Sequence, residues 1–366
     1  MFLLLAGLVL WLAYSNGAND NSKGVATLVG SRVGSYRSAL LWGTVWTVLG
    51  GIVALALSAG LVRTFSTALV STSVGANVAF PIAVVGGAVA WVLLASWRGV
   101  PVSTTHSLTG AIIGAALASG GAGQVRWPLV AIAVGAPLAL SPLLAGSLAY
   151  ALQAVGARPI ARASRYCICV ADAPLLLTPA LEPAMTTTSV ALPILEVGTE
   201  AACAATDHHE KLRLIDGAHW TTSAALSFAR GLNDNPKIVA LGAFAAAPLG
   251  IQTGWLFLAS ALAMGLGGYL FGRRVTRTLG ERVTPIDAID GLVSSAVASS
   301  LVLLACAFAL PVSTTHVASG AIIGVGVRRD PRAVDWRTVR KMISAWIVTV
   351  PVSAALAAVV WLLLAR

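Results

Sequence analysis

Long stretches of this chain run without a single Asp, Glu, Lys or Arg, among them 38–62, 127–157, 238–272, 291–327 and 342–365. Each is longer than the roughly 20 apolar residues that cross a hydrocarbon core. Gly and Pro are scattered through them, as membrane helices tolerate better than soluble ones. The pattern predicts an all-α polytopic membrane protein with ten crossing segments. The first five cover about 2–30, 39–61, 77–97, 102–120 and 128–152. The second five cover about 217–247, 251–271, 288–309, 312–327 and 342–365. The leading segment of each set carries polar residues in its middle and reads as a broken helix.

The two sets are copies of one unit. PVSTTHSLTGAIIG at 101–114 matches PVSTTHVASGAIIG at 311–324 in eleven of fourteen positions. GANDNSKG at 17–24 precedes the first copy, and GLNDNPKI at 231–238 precedes the second. From Asp20 to Ser103 is 83 positions, and from Asp234 to Ser313 is 79. The same order at nearly the same interval identifies a duplication, the architecture of a secondary transporter. An odd number of spans per copy turns the second upside down, giving two inverted-topology repeats with broken or re-entrant helices near the bilayer midplane. The expected organisation is a first repeat over 1–155, a linker over 156–215 and a second repeat over 216–366.

Composition agrees. Only 10% of residues are charged, 57% are hydrophobic, and mean hydropathy is +0.84, against about 25% charged in a soluble domain. The net charge of +10 is explained by topology and does not point to nucleic acid. Counting alternate loops puts 18 Lys and Arg on one side and 3 on the other, with Lys23, Arg230 and Lys237 left beside the repeated motifs. The positive-inside rule then assigns the central loop to the cytoplasm and both termini to the exterior of a cell membrane. Nothing at Met1 resembles a cleavable signal peptide. Residues 156–215 read as a partly ordered cytoplasmic linker, where thiols stay reduced and no structural disulfide is expected. Its Cys167, Cys169, Cys203, His208 and His209 are of the types that bind zinc, but an ordinary linker is the preferred reading.

The duplicated peptides carry the chemistry. Pro101 and Pro311 open helices whose first turns hold Ser103, Thr104, Thr105 and Ser313, Thr314, Thr315. A helix N-terminus offers unpaired N–H groups and a partial positive charge, and the hydroxyls add donors. That combination suits a tetrahedral oxyanion held between two such ends. Gly110 with Gly114 and Gly320 with Gly324 form GxxxG pairs suited to close helix packing. Asn19, Asp20, Asn233 and Asp234 supply hard oxygen ligands for a coupling cation, Na⁺ or H⁺, since an intramembrane carboxylate is costly and functional by default. Lys23 and Lys237 follow each Asp by three positions, on one helical face. Each lysine either tunes the local charge or turns away and snorkels to the surface. His106 and His316 are candidate proton relays or hydrogen-bonded structural groups.

At these residues the chain resembles the PiT family of inorganic phosphate transporters, which carries GANDVANA-type and P-[IV]-S-T-T-H segments in both halves. The resemblance covers both repeats. It implies cation-coupled uptake of inorganic phosphate, with Asn19, Asp20, Asn233, Asp234, Ser103, Thr104, Thr105, Ser313, Thr314 and Thr315 forming the substrate and ion sites. One departure stands out: where the family continues V-A-N-A, this chain has Asn21-Ser22-Lys23-Gly24 and Asn235-Pro236-Lys237-Ile238. An ammonium then falls in charge space that a coupling cation fills in relatives. The alternatives are a permease for sulfate or another tetrahedral oxyanion and, less favoured, an anion channel, against which Asp20 and Asp234 argue. An enzyme is not expected, because Ser and His three apart at a helix start do not make a nucleophile–base pair. The expected partners are phosphate and the lipid bilayer, with a homo-oligomer allowed and nucleic acid excluded.

Overall fold

A computed structural model describes residues 1–71, 77–174, 191–199 and 210–365. In the first half, helix α1 spans Phe2–Gly30, α2 Tyr36–Leu57, α3 Ala59–Arg63, α4 Ala79–Trp97, α5 Thr104–Gly120 and α6 Trp127–Ala163. In the second, α7 spans Leu214–Ala246, α8 Thr253–Phe271, α9 Arg273–Glu281, α10 Ala288–Ala307, α11 Thr314–Arg329 and α12 Trp336–Leu364. Among the described residues, seven helices are long and apolar enough to cross a membrane: α1, α2, α4, α6, α8, α10 and α12.

The three remaining expected segments fall short for different reasons. At 17 and 16 residues, α5 and α11 reach only about 25 Å at 1.5 Å per residue, less than a hydrocarbon core of about 30 Å. They are short helices that begin inside the protein. Helix α7 has 33 residues and fails on polarity, because Arg230, Asp234 and Lys237 interrupt it.

Nor is the leading segment of either half broken. Helix α1 runs unbroken through Asn19 and Asp20, and α7 through Asn233 and Asp234. Lysines on the same helices and the non-helical chain ahead of α5 and α11 supply partners for these side chains, so the backbone has no need to unwind. Even Pro236 is absorbed within α7: it has no N–H for the Leu232 carbonyl, which accepts instead from the Ser58 hydroxyl at 3.3 Å. The backbone is non-helical immediately before α5 and α11, at Val100–Ser103 and Leu310–Ser313.

Side-chain caps fix where helices start. Ser103 Oγ accepts from the His106 N–H and Ser313 Oγ from the His316 N–H, each at 3.2 Å. Asp287 and Asp290 form a reciprocal capping box on α10, and Asp335 caps α12. A run of wide turns at Val130–Gly135 in α6 lies just ahead of Pro137 and Pro142. The linker is more ordered than expected. Tyr166–Pro174, Ala191–Thr199 and Glu210–Arg213 form an antiparallel sheet, β1 to β3, in the order β2-β1-β3. Cys167 lies in β1, whereas Cys203, His208 and His209 are outside the described residues. Helix α9, also unforeseen, lays Val275 and Leu279 against α1 and turns Arg273, Arg274 and Arg277 outward.

Packing between the halves is reciprocal, as expected of an inverted repeat. Helix α1 packs on α8 while α7 packs on α2, and α5 packs on α12 while α11 packs on α6. Matched glycines make these approaches possible. A methyl group on Gly17 would lie 1.8 Å from the Met264 carbonyl oxygen, and one on its counterpart Gly231 2.2 Å from that of Thr47. The GxxxG pairs behave alike: Gly114 abuts the Ala354 carbonyl and Gly324 that of Gly146, leaving 2.0 and 2.2 Å for a methyl. Gly7, by contrast, has nothing within 4 Å.

Gly114→Ala is therefore expected to destabilise by about 1–3 kcal/mol through overpacking. Gly7→Ala, in the same class of mid-helix position, is expected to stabilise by about 0.5–1 kcal/mol. Unfolding in mixed detergent measures both, and equal signs would contradict the packing role of the glycine pairs.

Candidate functional site

The duplicated peptides meet at one place. Thr105 Oγ1 donates to the Val312 carbonyl at 3.4 Å, and Thr315 Oγ1 donates to the Val102 carbonyl at 2.7 Å. The first turn of α5 thus touches the chain entering α11, and the reverse. Helices α1 and α7 bring their motifs to the same junction. Asn19, Asp20, Lys23, Arg230, Asn233, Asp234 and Lys237 are all at most 3% exposed.

Each lysine is bonded inward. Lys23 Nζ donates to Asn19 Oδ1 at 2.8 Å, to the Val102 carbonyl at 3.2 Å, and to Asp20 Oδ1 in a tight ion pair. Lys237 Nζ donates to Thr105 Oγ1 at 2.8 Å, to the Val312 carbonyl at 3.1 Å and to Asp234 Oδ1 at 3.4 Å. An ammonium has three donors, and each lysine uses all of them. Snorkelling is not what these side chains do.

The two asparagines differ. Asn19 pins the chain ahead of α5: its Nδ2 donates to Ser96 Oγ and the Val100 carbonyl, and its Oδ1 accepts from the Val102 N–H. Asn233 donates to the Val312 carbonyl and to Asp234, while its buried Oδ1 has no partner. Among the threonines, Thr104 Oγ1 donates weakly to Asp20 Oδ2 at 3.4 Å, and Thr314 is buried with no side-chain hydrogen bond. Ser103 and Ser313 spend their hydroxyl oxygens on the caps.

Two residues outside the expected set join the cluster. Arg230 Nη1 donates to Asn16 Oδ1 at 3.0 Å and Nη2 to Thr47 Oγ1 at 2.8 Å, with Asp234 Oδ2 4.0 Å away. Asn16 Nδ2 reaches Asp20 Oδ2 at 3.1 Å, Thr104 Oγ1 at 3.0 Å and Asp234 Oδ2 at 3.4 Å. Asn16 thereby connects both carboxylates to α5. The two occupy matching positions, one residue before each Gly of the repeated motif. The sequence signal was available, since Arg230 stands in apolar surroundings four residues before Asp234 on the same helical face.

The histidines face elsewhere. The rings of His106 and His316 sit 4.5 Å apart, and His316 stacks on Trp346 at 4.1 Å while its Nδ1 lies 2.9 Å from the Leu138 carbonyl. Both border an apolar cavity of about 1000 Å³ between α5, α6, α11 and α12, and no ring nitrogen bonds to a carboxylate.

The cluster gathers three basic and two acidic side chains, a formal excess of one positive charge, beneath two helix N-termini. Partial positive charge at those ends adds to it. An anion is the ligand that this field favours.

Comparison with known proteins agrees. The phosphate transporter family matches residues 16–357. This chain belongs to that family. It is 25% identical over 358 residues to a probable low-affinity inorganic phosphate transporter of Bacillus subtilis, covering 96% of this chain and 93% of that one. It is 36% identical over 144 residues to the human sodium-dependent phosphate transporter 1, covering 37% of this chain and 21% of that one. The fold matches a solved sodium-dependent phosphate transporter with a TM-score of 0.79 at 22% identity, over 100% of this chain and 98% of that one. The family and the seven apolar helices make this a multi-pass membrane protein with the fold of a transporter rather than an enzyme. Sodium appears in the names of two of these proteins.

Asp20→Asn is expected to cost about 3–5 kcal/mol of stability, because it leaves the Lys23 charge buried without its partner. Adding Lys23→Met removes that charge and should recover much of the loss. A double-mutant cycle read by unfolding in detergent checks this, and additive losses would mean that the pair does not interact.

Proposed function

We propose that this protein imports inorganic phosphate as a cation-coupled secondary transporter, with Na⁺ or H⁺ as the coupling ion. The observation that carries the reading is the cross-bonding of two helix N-termini, α5 and α11, over a buried cluster with excess positive charge. Family membership supports the substrate. In this reading the N–H groups and hydroxyls at Ser103–Thr105 and Ser313–Thr315 receive the phosphate oxygens, with Asn19 and Asn233 beside them. Thr314, which makes no side-chain bond, is available to donate. Asp20 and Asp234 balance the cations, and either carboxylate could accept a proton from bound phosphate, which sulfate does not carry at neutral pH. The repeats then move against each other around this junction, with residues 156–215 as their connection.

Removing the hydroxyls tests the anion site. Bonds to a charged group contribute about 1.5–3 kcal/mol each, so Thr104→Val/Thr105→Val or Thr314→Val/Thr315→Val should weaken phosphate binding at least tenfold. Competition with sulfate in the same proteoliposome assay separates the two oxyanions. Unchanged phosphate affinity in both variants would reduce these residues to helix structure.

The distribution of basic residues supports termini outside the cell and a cytoplasmic 156–215 segment. Cysteines introduced as Phe2→Cys and Arg165→Cys, in protein without native cysteines, should label from opposite sides of the membrane. Labelling from one side would overturn the orientation.

A further inference from the structure

The two buried lysines make equivalent contacts in the two halves. Around Lys23 Nζ stand a carboxylate oxygen of Asp20, the Val102 carbonyl and the Asn19 amide oxygen. Around Lys237 Nζ stand a carboxylate oxygen of Asp234, the Val312 carbonyl and the Thr105 hydroxyl. Each set comprises one carboxylate, one main-chain carbonyl and one neutral side-chain oxygen, the ligand types that hard metal cations take. The carbonyls of Val102 and Val312 are turned to these positions because the backbone is non-helical there. Both ammonium groups are about 1% exposed, and all three of their donors are used.

We propose that Lys23 and Lys237 act as tethered cations at the two positions where a sodium ion would otherwise balance Asp20 and Asp234, so that oxyanion movement by this protein needs no sodium. The inference rests on the transporter reading above and deepens it by removing one of its two coupling ions. A metal ion entering either oxygen set would have to displace a like charge bound to the same carboxylate, without water to screen the repulsion. Arg230 adds a third fixed positive charge, 4.0 Å from Asp234. A lysine stem cannot leave its helix, so these cations stay in place through every cycle of transport. Sodium-dependent relatives are named for an ion that must bind and dissociate. In this chain the corresponding charge is covalent.

Radioactive sodium binding to the purified wild-type protein is the direct test. No saturable binding is expected, and saturable binding would overturn the inference. In the Lys23→Met/Lys237→Met variant the two carboxylates are released, and saturable sodium binding with sodium-dependent thermal stabilisation is expected. A folded variant that binds no sodium would also overturn it, because the oxygen sets would then not be cation positions. Should the variant fail to fold, the wild-type measurement decides alone. Proteoliposome uptake of phosphate and of sulfate is read with external sodium and then with choline. Rates within twofold of each other support the proposal, and a tenfold fall without sodium overturns it. If neither anion moves under any cation, the importer reading fails, while sodium binding still decides the present point.

Discussion

Five charged side chains buried at one junction are the constraint on which the rest of this structure depends. Each ion taken out of water costs several kcal/mol, and that cost is met only where partners are held in place. At 3.4 Å, the separation of Lys237 from Asp234, the attraction of opposite charges is about 5 kcal/mol at an effective dielectric near 20. Such a return requires both helices of each pair, and the loop carbonyls beside them, to be fixed. That requirement explains why Asn19 ties down Val100 and Val102 and why Thr105 and Thr315 cross over to the opposite half. It also explains the glycines at Gly17 and Gly231: backbones must approach closely for short polar side chains to meet.

The duplication is followed closely in packing and broken in charge. Asn21 donates to the Leu40 carbonyl of α2, and Asn235 to the Phe257 carbonyl of α8 and the Gly51 carbonyl of α2. Gly17 and Gly231, Lys23 and Lys237, and Val102 and Val312 likewise keep their roles. Asn16 and Arg230 do not, although they occupy matching positions and bond directly to each other. Ser22 and Pro236 differ as well. One arginine in place of an asparagine converts a cluster of two balanced ion pairs into one with excess positive charge. In the proposed reading, a symmetrical site would hold its anion by helix ends and hydroxyls alone.

Much of this was legible before the fold was known, and the exceptions share a cause. Chain-local features were readable: the apolar runs, the Ser caps at Ser103 and Ser313, the glycine pairs and the spacing of Asp to Lys. Features set by a distant partner were not. Asn19 and Asn233 suggested a broken helix, because polar groups in an apolar segment usually mark unwound backbone. Their amide N–H groups instead donate to Ser96, Val100 and Val312, contacts some 80 positions away that no local pattern announces. The partly buried α9 was hidden by its short length and its arginines. Val102 and Val312 contribute main-chain groups to the cluster, so their side chains carried no signal.

If the lysines are the resident cations, the energetics of import change in a definite way. A site that retains one excess positive charge is formally neutral when a phosphate monoanion is bound and positive when it is empty. Returning the empty site outward then works against an inside-negative potential, by about 2.3 kcal/mol per charge for each 100 mV. That is the cost of moving one negative charge into the cell, and fixed cations cannot offset it because they do not travel with the substrate. A sodium-coupled carrier offsets it with ions that enter alongside phosphate. Import here against the potential therefore requires another mobile positive charge. Asp20 and Asp234 are the groups placed to carry a proton, with phosphate itself able to carry one more. Tethering the cations thus moves the burden of coupling from a metal ion to a proton.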